Sequence, residues 1–240
     1  AIAQRAGLSA RYVQEILAVL VCGEVVELSD GGEGPPQYSL PPARADALGG
    51  MGIYFEELPL LSQCAFEQVS DAAVHGAGVD PSHYSSFSAW MGRLADAKHE
   101  RILVDKFLPA LAGGSRVKWG GVDALRTPGV QVCDLGCGRG TVALLIAQAF
   151  PTATVVGLDV DATAIAAAMR RAAQLGVRNV EFHIADATAL GTFEGSPEGC
   201  TLGGQFDLVT AFDSIHDLSD PAGALGEARR LVKTDSGAFA

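Results

Sequence analysis

No stretch of this chain reaches the roughly 18 consecutive apolar residues that a membrane-spanning helix requires, and no charged-then-apolar leader opens it. Basic residues are scarce too: 17 Lys and Arg stand against 28 Asp and Glu, a formal net charge of −11 at pH 7 over 240 residues. Nucleic-acid binders carry a basic stripe, which is missing here, so no nucleic-acid partner is expected; an anionic membrane surface is disfavoured by the same repulsion. The five cysteines lie at irregular spacings. An odd count of this kind reads as reduced thiols in a cytoplasmic protein, not as a disulfide framework. Cys133 and Cys137 have neither C-x-x-C spacing nor a neighbouring histidine, read as packing residues, and give no expectation of a metal. What is left is 48% apolar and free of low complexity, a globular chain long enough for one large domain or two small ones.

The most informative segment is V-Q-V-C-D-L-G-C-G-R-G-T, residues 130–141. A short apolar run, an acid, three alternate glycines and a helix-forming stretch predict a strand, a tight turn and a helix start. Gly136, Gly138 and Gly140 let the backbone take φ > 0 and let a ligand approach without a Cβ in the way, while the helix offers its unpaired N–H groups. The dinucleotide fingerprint needs glycine at the first, third and sixth positions. Here the sixth is Thr141, which argues against a nicotinamide-dependent oxidoreductase.

Further acids follow at the ends of successive apolar runs: Asp159 in V-V-G-L-D-V-D, about 20 residues past the turn, and Asp186 in V-E-F-H-I-A-D-A. Asp161 reads as the N-cap of an Ala-rich helix over 162–175, which leaves Asp159 free to accept both hydroxyls of a ribose. The series Asp134, Asp159, Asp186 around the glycine turn resembles the class I S-adenosylmethionine-dependent methyltransferases. That resemblance implies S-adenosylmethionine as cofactor, with Asp134, Gly136, Cys137, Gly138 and Gly140 forming the cofactor loop. It makes Asp159 with Val160 the ribose contact, and Asp186 with Ala187 the adenine contact. Phe212 and Tyr84 complete the implied cofactor set.

The first unit spans residues 1–42. A helix ends at Ala6-Gly7, Ser9 is placed as the N-cap of a second helix, and Val13, Ile16, Leu17 and Leu20 recur on it at helical spacing. Gly23 closes that helix. E-V-V-E-L and Q-Y-S-L, joined by D-G-G-E-G-P-P, predict a β-hairpin. This is a winged-helix order, but its second helix offers only Arg11 and Gln14 beside Glu15 and is otherwise apolar, a surface suited to packing and not to reading bases. A winged helix ahead of this domain resembles the small-molecule O-methyltransferases, and that resemblance implies homodimerisation through the N-terminal helices and a small-molecule acceptor.

Residues 43–128 read as a helical connector or lid, with helical patterns over 66–74 and 87–111. Within it G-V-D-P-S-H-Y-S-S-F is placed as a lid over the cofactor, with Tyr84 and Phe87 supplying aromatic contact; ordinary core aromatics are the competing reading. From residue 129 strand and helix alternate. The fold class is therefore α/β, a Rossmann-like parallel sheet with helices on both faces, behind the winged helix and the connector. F-D-L-V-T-A-F is the fourth strand, after a Gly- and Pro-rich loop over 191–204, and Asp220-Pro221 opens the last helix, expected to run to residue 232. The chain begins without Met and stops within a strand pattern, so a fragment is expected, lacking the closing hairpin usual in the class.

Methyl transfer to a hydroxyl requires alignment and removal of a proton. The loop A-F-D-S-I-H-D-L-S-D-P is similar to the corresponding loop of the O-methyltransferases, whose histidine is the general base. By that match His216 is the base, and Asp213 and Asp217 orient it or contact substrate; packing without chemistry is the competing role. His183, inside a strand pattern, reads as structural. The Asn/Asp-Pro-Pro-aromatic run of amino-methylating nucleic-acid enzymes and the paired glutamates of arginine methyltransferases do not occur. The rival of another class is a winged-helix regulator that binds S-adenosylmethionine without catalysis.

Overall fold

The run Q-V-C-D-L buries both of its faces, so layers must cover it on each side. The structure is a computed structural model that describes residues 1–29, 36–76, 78–111, 120–190 and 203–240. The chain forms two units, Ala1–Pro59 and Leu60–Ala240.

In the first unit α1 (Ile2–Ala6) ends on Gly7, whose φ of 67° is the left-handed turn that glycine adopts at no steric cost. α2 (Ala10–Cys22) ends at Gly23. Ser9 stands at its N-cap with extended backbone, as expected, but its side chain makes no capping hydrogen bond: position alone does not aim the hydroxyl at the helix. β1 (Glu27–Ser29) and β2 (Gln37–Ser39) pair antiparallel, Leu28 opposite Tyr38. Their turn, 30–35, lies outside the described residues. α3 (Pro42–Met51) starts with Pro at its first position, where no N–H is needed, and a 3₁₀ turn, Gly52–Glu56, follows. Helix, helix and hairpin come in the winged-helix order expected.

The unit boundary falls inside α4 (Glu57–His75). α5 (Ser85–Ile102) runs through a π turn, Leu103–Phe107, into α6 (Leu108–Leu111). The sheet then forms from β3 (Gln131–Leu135), β4 (Thr154–Asp159), β5 (Val180–Ile184), β6 (Leu208–Thr210) and β7 (Ala238–Phe239), in the order β5-β4-β3-β6-β7 with every pair parallel. α7 (Thr141–Ala149), α8 (Ala162–Leu175) and α9 (Pro221–Leu231) connect them; the last stops one residue short of the expected 232. Most of the expected 191–204 loop, residues 191–202, lies outside the described residues.

Strand alternation sorts the core. Val132, Val155, Phe182 and Leu208 share one cluster with Val142, Ile146, Ile165 and Ala168 of α7 and α8. Cys133, Leu135, Leu158 and Val209 share the other with Ala228 and Leu231 of α9. Each fully buried Leu or Val contributes about 1.5–3 kcal/mol, and Cys133 packs as a small apolar residue with no exposure. Asp161 caps α8 by accepting from Thr163 N–H at 2.7 Å, and Asp220 caps α9 by accepting from Gly223 N–H at 2.9 Å. Asn179 donates from Nδ2 to the carbonyls of Ala147 and Ala153, both at 3.0 Å, and so satisfies one group in the last turn of α7 and one in the turn before β4. β4 and β5 lie to one side of β3, and β6 and β7 to the other. The strand order reverses beside β3, and the crevice at the carboxyl ends of β3 and β6 is the place for a ligand.

Candidate active site

The three loop glycines take φ values of 67°, 53° and 78° at Gly136, Gly138 and Gly140, yet their surroundings differ. A Cβ on Gly136 would stand 2.4 Å from Ser214 Cβ, and one on Gly140 would stand 2.7 Å from the Phe182 ring and 2.9 Å from Ala168 Cβ. A Cβ on Gly138 would meet nothing within 4 Å. Two of the glycines therefore admit neighbouring parts of the fold, and the middle one faces open space that a ligand can enter. The loop is fixed from below: Gly136 and Cys137 N–H both donate to the Leu158 carbonyl, at 2.8 and 3.0 Å. Cys137 is buried behind it.

Asp159 ends β4 half-buried and accepts two backbone bonds, from Gly138 N–H at 2.7 Å and Asp161 N–H at 2.9 Å. A carboxylate offers about four acceptor positions, so lone pairs remain for the hydroxyls of a diol. Asp134, beside it in the sheet, is 2% exposed and accepts from Thr210 Oγ1 at 2.8 Å. Burial pushes its carboxyl up to about 7; the Thr210 and Ala143 N–H bonds work against this, and the nearby Asp159 charge adds to it. Burial also raises the Cys133 and Cys137 thiols, keeping both protonated and unreactive.

Asp186 does not close its strand. β5 ends at Ile184, and Asp186 lies two residues on, exposed, accepting from Thr188 N–H at 2.8 Å and Oγ1 at 2.7 Å. Those bonds lower its pKa. Ala185 N–H donates to the Asp159 carbonyl at 3.0 Å and keeps the ends of β4 and β5 side by side. Val160 is exposed and Ala187 half-buried on the same edge.

The loop after β6 is locked to the glycine loop. Ser214 packs on Gly136 and donates from Oγ to the Leu135 carbonyl at 3.0 Å. Phe212 is flanked edge-on by His99, with ring centroids 4.8 Å apart, and by Phe107 at 4.9 Å. Asp213 has a φ of 50° and accepts from Lys98 Nζ at 2.7 Å; its expected role of orienting His216 is not what the geometry supplies. His216 stands on the turn Ile215–Asp217, its side chain 68% exposed and its Nε2 3.5 Å from Asp217 Oδ1. His183 sits in β5, its Nε2 3.5 Å from Glu181 Oε2.

Several residues at the site carry no signal in the local sequence. Lys98, His99 and Asp96 all come from α5. Asp96 Oδ1 accepts from Thr141 Oγ1 at 2.6 Å and from Arg171 Nη2 at 2.8 Å. Gly92 on the same helix leaves room for Arg139, whose Cδ would stand 2.8 Å from a Cβ there. Tyr84, half-buried, belongs to the 3₁₀ turn Pro81–Tyr84 that leads into α5, and Phe87 stacks on the buried Trp90 at 5.1 Å. Of the expected set, the glycine loop, Asp134, Asp159 and the Phe212 loop are tied together by contacts. Among the described residues no three His, Cys, Asp or Glu side chains are placed to share a metal ion, and no helix is long and apolar enough to cross a membrane.

Residues 126–239 match the family model of a methyltransferase domain, and residues 1–49 match that of an Rv2258c-like winged HTH domain. The chain is similar to the ubiquinone biosynthesis O-methyltransferase of Paracidovorax citrulli, 29% identical over 164 residues that cover 68% of this chain and 62% of that protein. Its counterpart from Pseudomonas fluorescens (strain Pf0-1) is 30% identical, over 68% of this chain and 63% of that protein. The chain thus spans a little under two thirds of the length of these curated relatives. Among solved structures it is similar to the YcgJ protein from Bacillus subtilis, 29% identical over 46% of this chain and 42% of that one, with a TM-score of 0.39.

Proposed function

We propose that this chain, which carries a class I S-adenosylmethionine-dependent methyltransferase domain behind an Rv2258c-like winged-helix unit, methylates a hydroxyl on a small-molecule acceptor. The observation that carries this is the pairing of Gly138 with Asp159: an open glycine face whose N–H is held by a carboxylate with acceptor positions to spare. A ribose laid across the ends of β3 and β4 meets both at once. Gly136, Cys137, Gly138 and Gly140 cradle the cofactor, Asp134 fixes the strand end under it, and Asp159 with Val160 holds the ribose. Asp186 with Ala187 meets the adenine edge, while Phe212 and Tyr84 supply aromatic contact. S-adenosylmethionine, when bound, supplies an electrophilic methyl on a sulfonium.

The chain's own task is alignment and proton removal. His216, exposed on the loop that also carries Phe212, would take the acceptor's hydroxyl proton. Asp217, whose Oδ1 lies 3.5 Å from His216 Nε2, orients the ring. The working division is a winged helix over 1–42, a helical connector and lid over 43–128 and the methyltransferase domain over 129–240. Homodimerisation through the N-terminal helices and a cytoplasmic location belong to the same proposal. The exposed Tyr12, Ile16 and Val19 on α2 support the first. Arg11 on that helix is paired with Glu15, which leaves it a poor DNA contact.

Calorimetric titration of S-adenosylhomocysteine, with Asp159→Ala as control, tests the cofactor; a screen of hydroxylated acceptors with labelled S-adenosylmethionine tests the reaction. The expected result is binding that Asp159→Ala abolishes, and turnover that His216→Ala lowers at least about 100-fold without weakening cofactor binding. Cofactor binding without turnover, joined to salt-sensitive operator binding, would instead identify a regulator.

A further inference from the structure

Two adjacent residues of α5 grip two adjacent residues of the loop after β6. Lys98 Nζ donates to Asp213 Oδ2 at 2.7 Å across 115 residues of chain, and the His99 ring stands edge-on to Phe212 at 4.8 Å. The grip falls where the loop needs it. Asp213 holds a φ of 50°, one of two positive-φ non-glycine residues among those described, a conformation that persists when surroundings determine it. Phe212 is wedged from its other side by Phe107 at 4.9 Å, and Ser214 is pinned to Leu135 and Gly136. His99 is 3% exposed. Burial and the Lys98 charge lower its pKa, with Asp213 and Asp96 opposing, so its ring packs as a neutral aromatic.

We propose that Lys98 and His99 are positioning residues of the methyl-transfer site, Lys98 acting through Asp213 and His99 through Phe212 to set the loop that faces cofactor and acceptor. The inference rests on the cofactor reading above. Neither residue has to touch a ligand: Lys98 is neutralised by its partner, and His99 is covered. Their effect is conformational, a loop already in its binding shape, so that a ligand spends no free energy arranging it.

The test is titration of S-adenosylhomocysteine into the full chain and its variants by calorimetry, alongside urea melts and amide exchange of residues 211–217. Lys98→Met should weaken binding about fivefold, the scale of one partly exposed ion pair, and speed exchange in the loop while leaving the strands protected. Lys98→Arg should restore both. Asp213→Asn should match Lys98→Met, and the double variant should be no weaker than either single one, because both remove the same interaction. His99→Ala should weaken binding to a similar degree, whereas His99→Phe, which keeps an aromatic edge on Phe212, should hold it within about twofold. Wild-type affinity in Lys98→Met, or additive losses in the double variant, overturns the Lys98 assignment. A melt that shifts while affinity and loop exchange stay constant reduces both residues to structural ones and also overturns it. A folded wild-type chain that binds no S-adenosylhomocysteine overturns the cofactor reading and this inference together, an outcome distinct from normal binding by the variants.

Discussion

Ser214 fills the space on Gly136 into which any other residue would project its side chain: a Cβ there would stand 2.4 Å from Ser214 Cβ and 2.9 Å from its Oγ. The glycine loop and the loop carrying the candidate base therefore share one contact. Gly136→Ala meets two penalties, the clash and a φ of 67°, and should lose about 3 kcal/mol of stability in a urea melt. Adding Ser214→Gly should recover about half of that, since it removes the clash and leaves the backbone strain. No recovery would mean that the contact is not what excludes a side chain.

Gly138 and Gly140 should respond to alanine in opposite ways. At Gly138 the Cβ enters open space, so Gly138→Ala should cost only about 1 kcal/mol for its φ while reducing S-adenosylhomocysteine affinity more than about tenfold. At Gly140 the Cβ meets Phe182 and Ala168, so Gly140→Ala should destabilise the fold itself by about 2–4 kcal/mol. Calorimetry and melts on the two variants separate a ligand-facing glycine from a packing one.

Asp159 braces the glycine loop, because its carboxylate holds Gly138 N–H at 2.7 Å. Asp159→Ala should abolish detectable S-adenosylhomocysteine binding and also speed amide exchange at Gly138. Fast exchange with unchanged affinity would leave Asp159 a loop brace alone.

The carboxyl of Asp134, raised by burial from an ordinary value of 3.8 to about 7, sets a pH dependence whose sign follows from linkage. Between those values the folded chain holds a proton that the unfolded chain has released, so this group's contribution is full below pH 4 and is lost as pH rises through 7. His99 has the opposite sign: its folded pKa lies below 6.5, and its contribution is lost as pH falls through that unfolded value. The difference in urea stability between wild type and Asp134→Asn isolates the first effect. It should shift against wild type by a few kcal/mol between pH 5 and pH 8; a flat difference would mean that Asp134 ionises at an ordinary carboxylate pKa.

Much of the second unit was legible because its signals are local. A cap is a residue and the amides two or three positions ahead of it, as at Asp161 and Asp220, and an apolar run between turn residues reads as a strand over a handful of positions. Ser9 shows the limit, a cap by type and place whose hydroxyl is not used. The acids at 134 and 159 could be read because each lies inside the carboxyl end of its own strand, Asp134 one residue before β3 ends and Asp159 as the last of β4; Asp186 sits past the end of one and turns its carboxylate onto Thr188.

The sequence by itself determined the order of elements, the parallel α/β class, the turn that must hold three positive-φ glycines and the strand end that carries Asp159. All of these follow from backbone sterics and from side-chain periodicity over fewer than about 20 residues. The tertiary structure alone decided which glycine faces open space and which two face Ser214 and Phe182, what holds Asp213, and how α5 packs on the loop after β6. Lys98 and Asp213 are 115 positions apart, and Ser214 and Leu135 79. Nothing near Lys98 or Ser214 in the chain specifies such partners, because they meet only when the sheet closes and α5 packs against it.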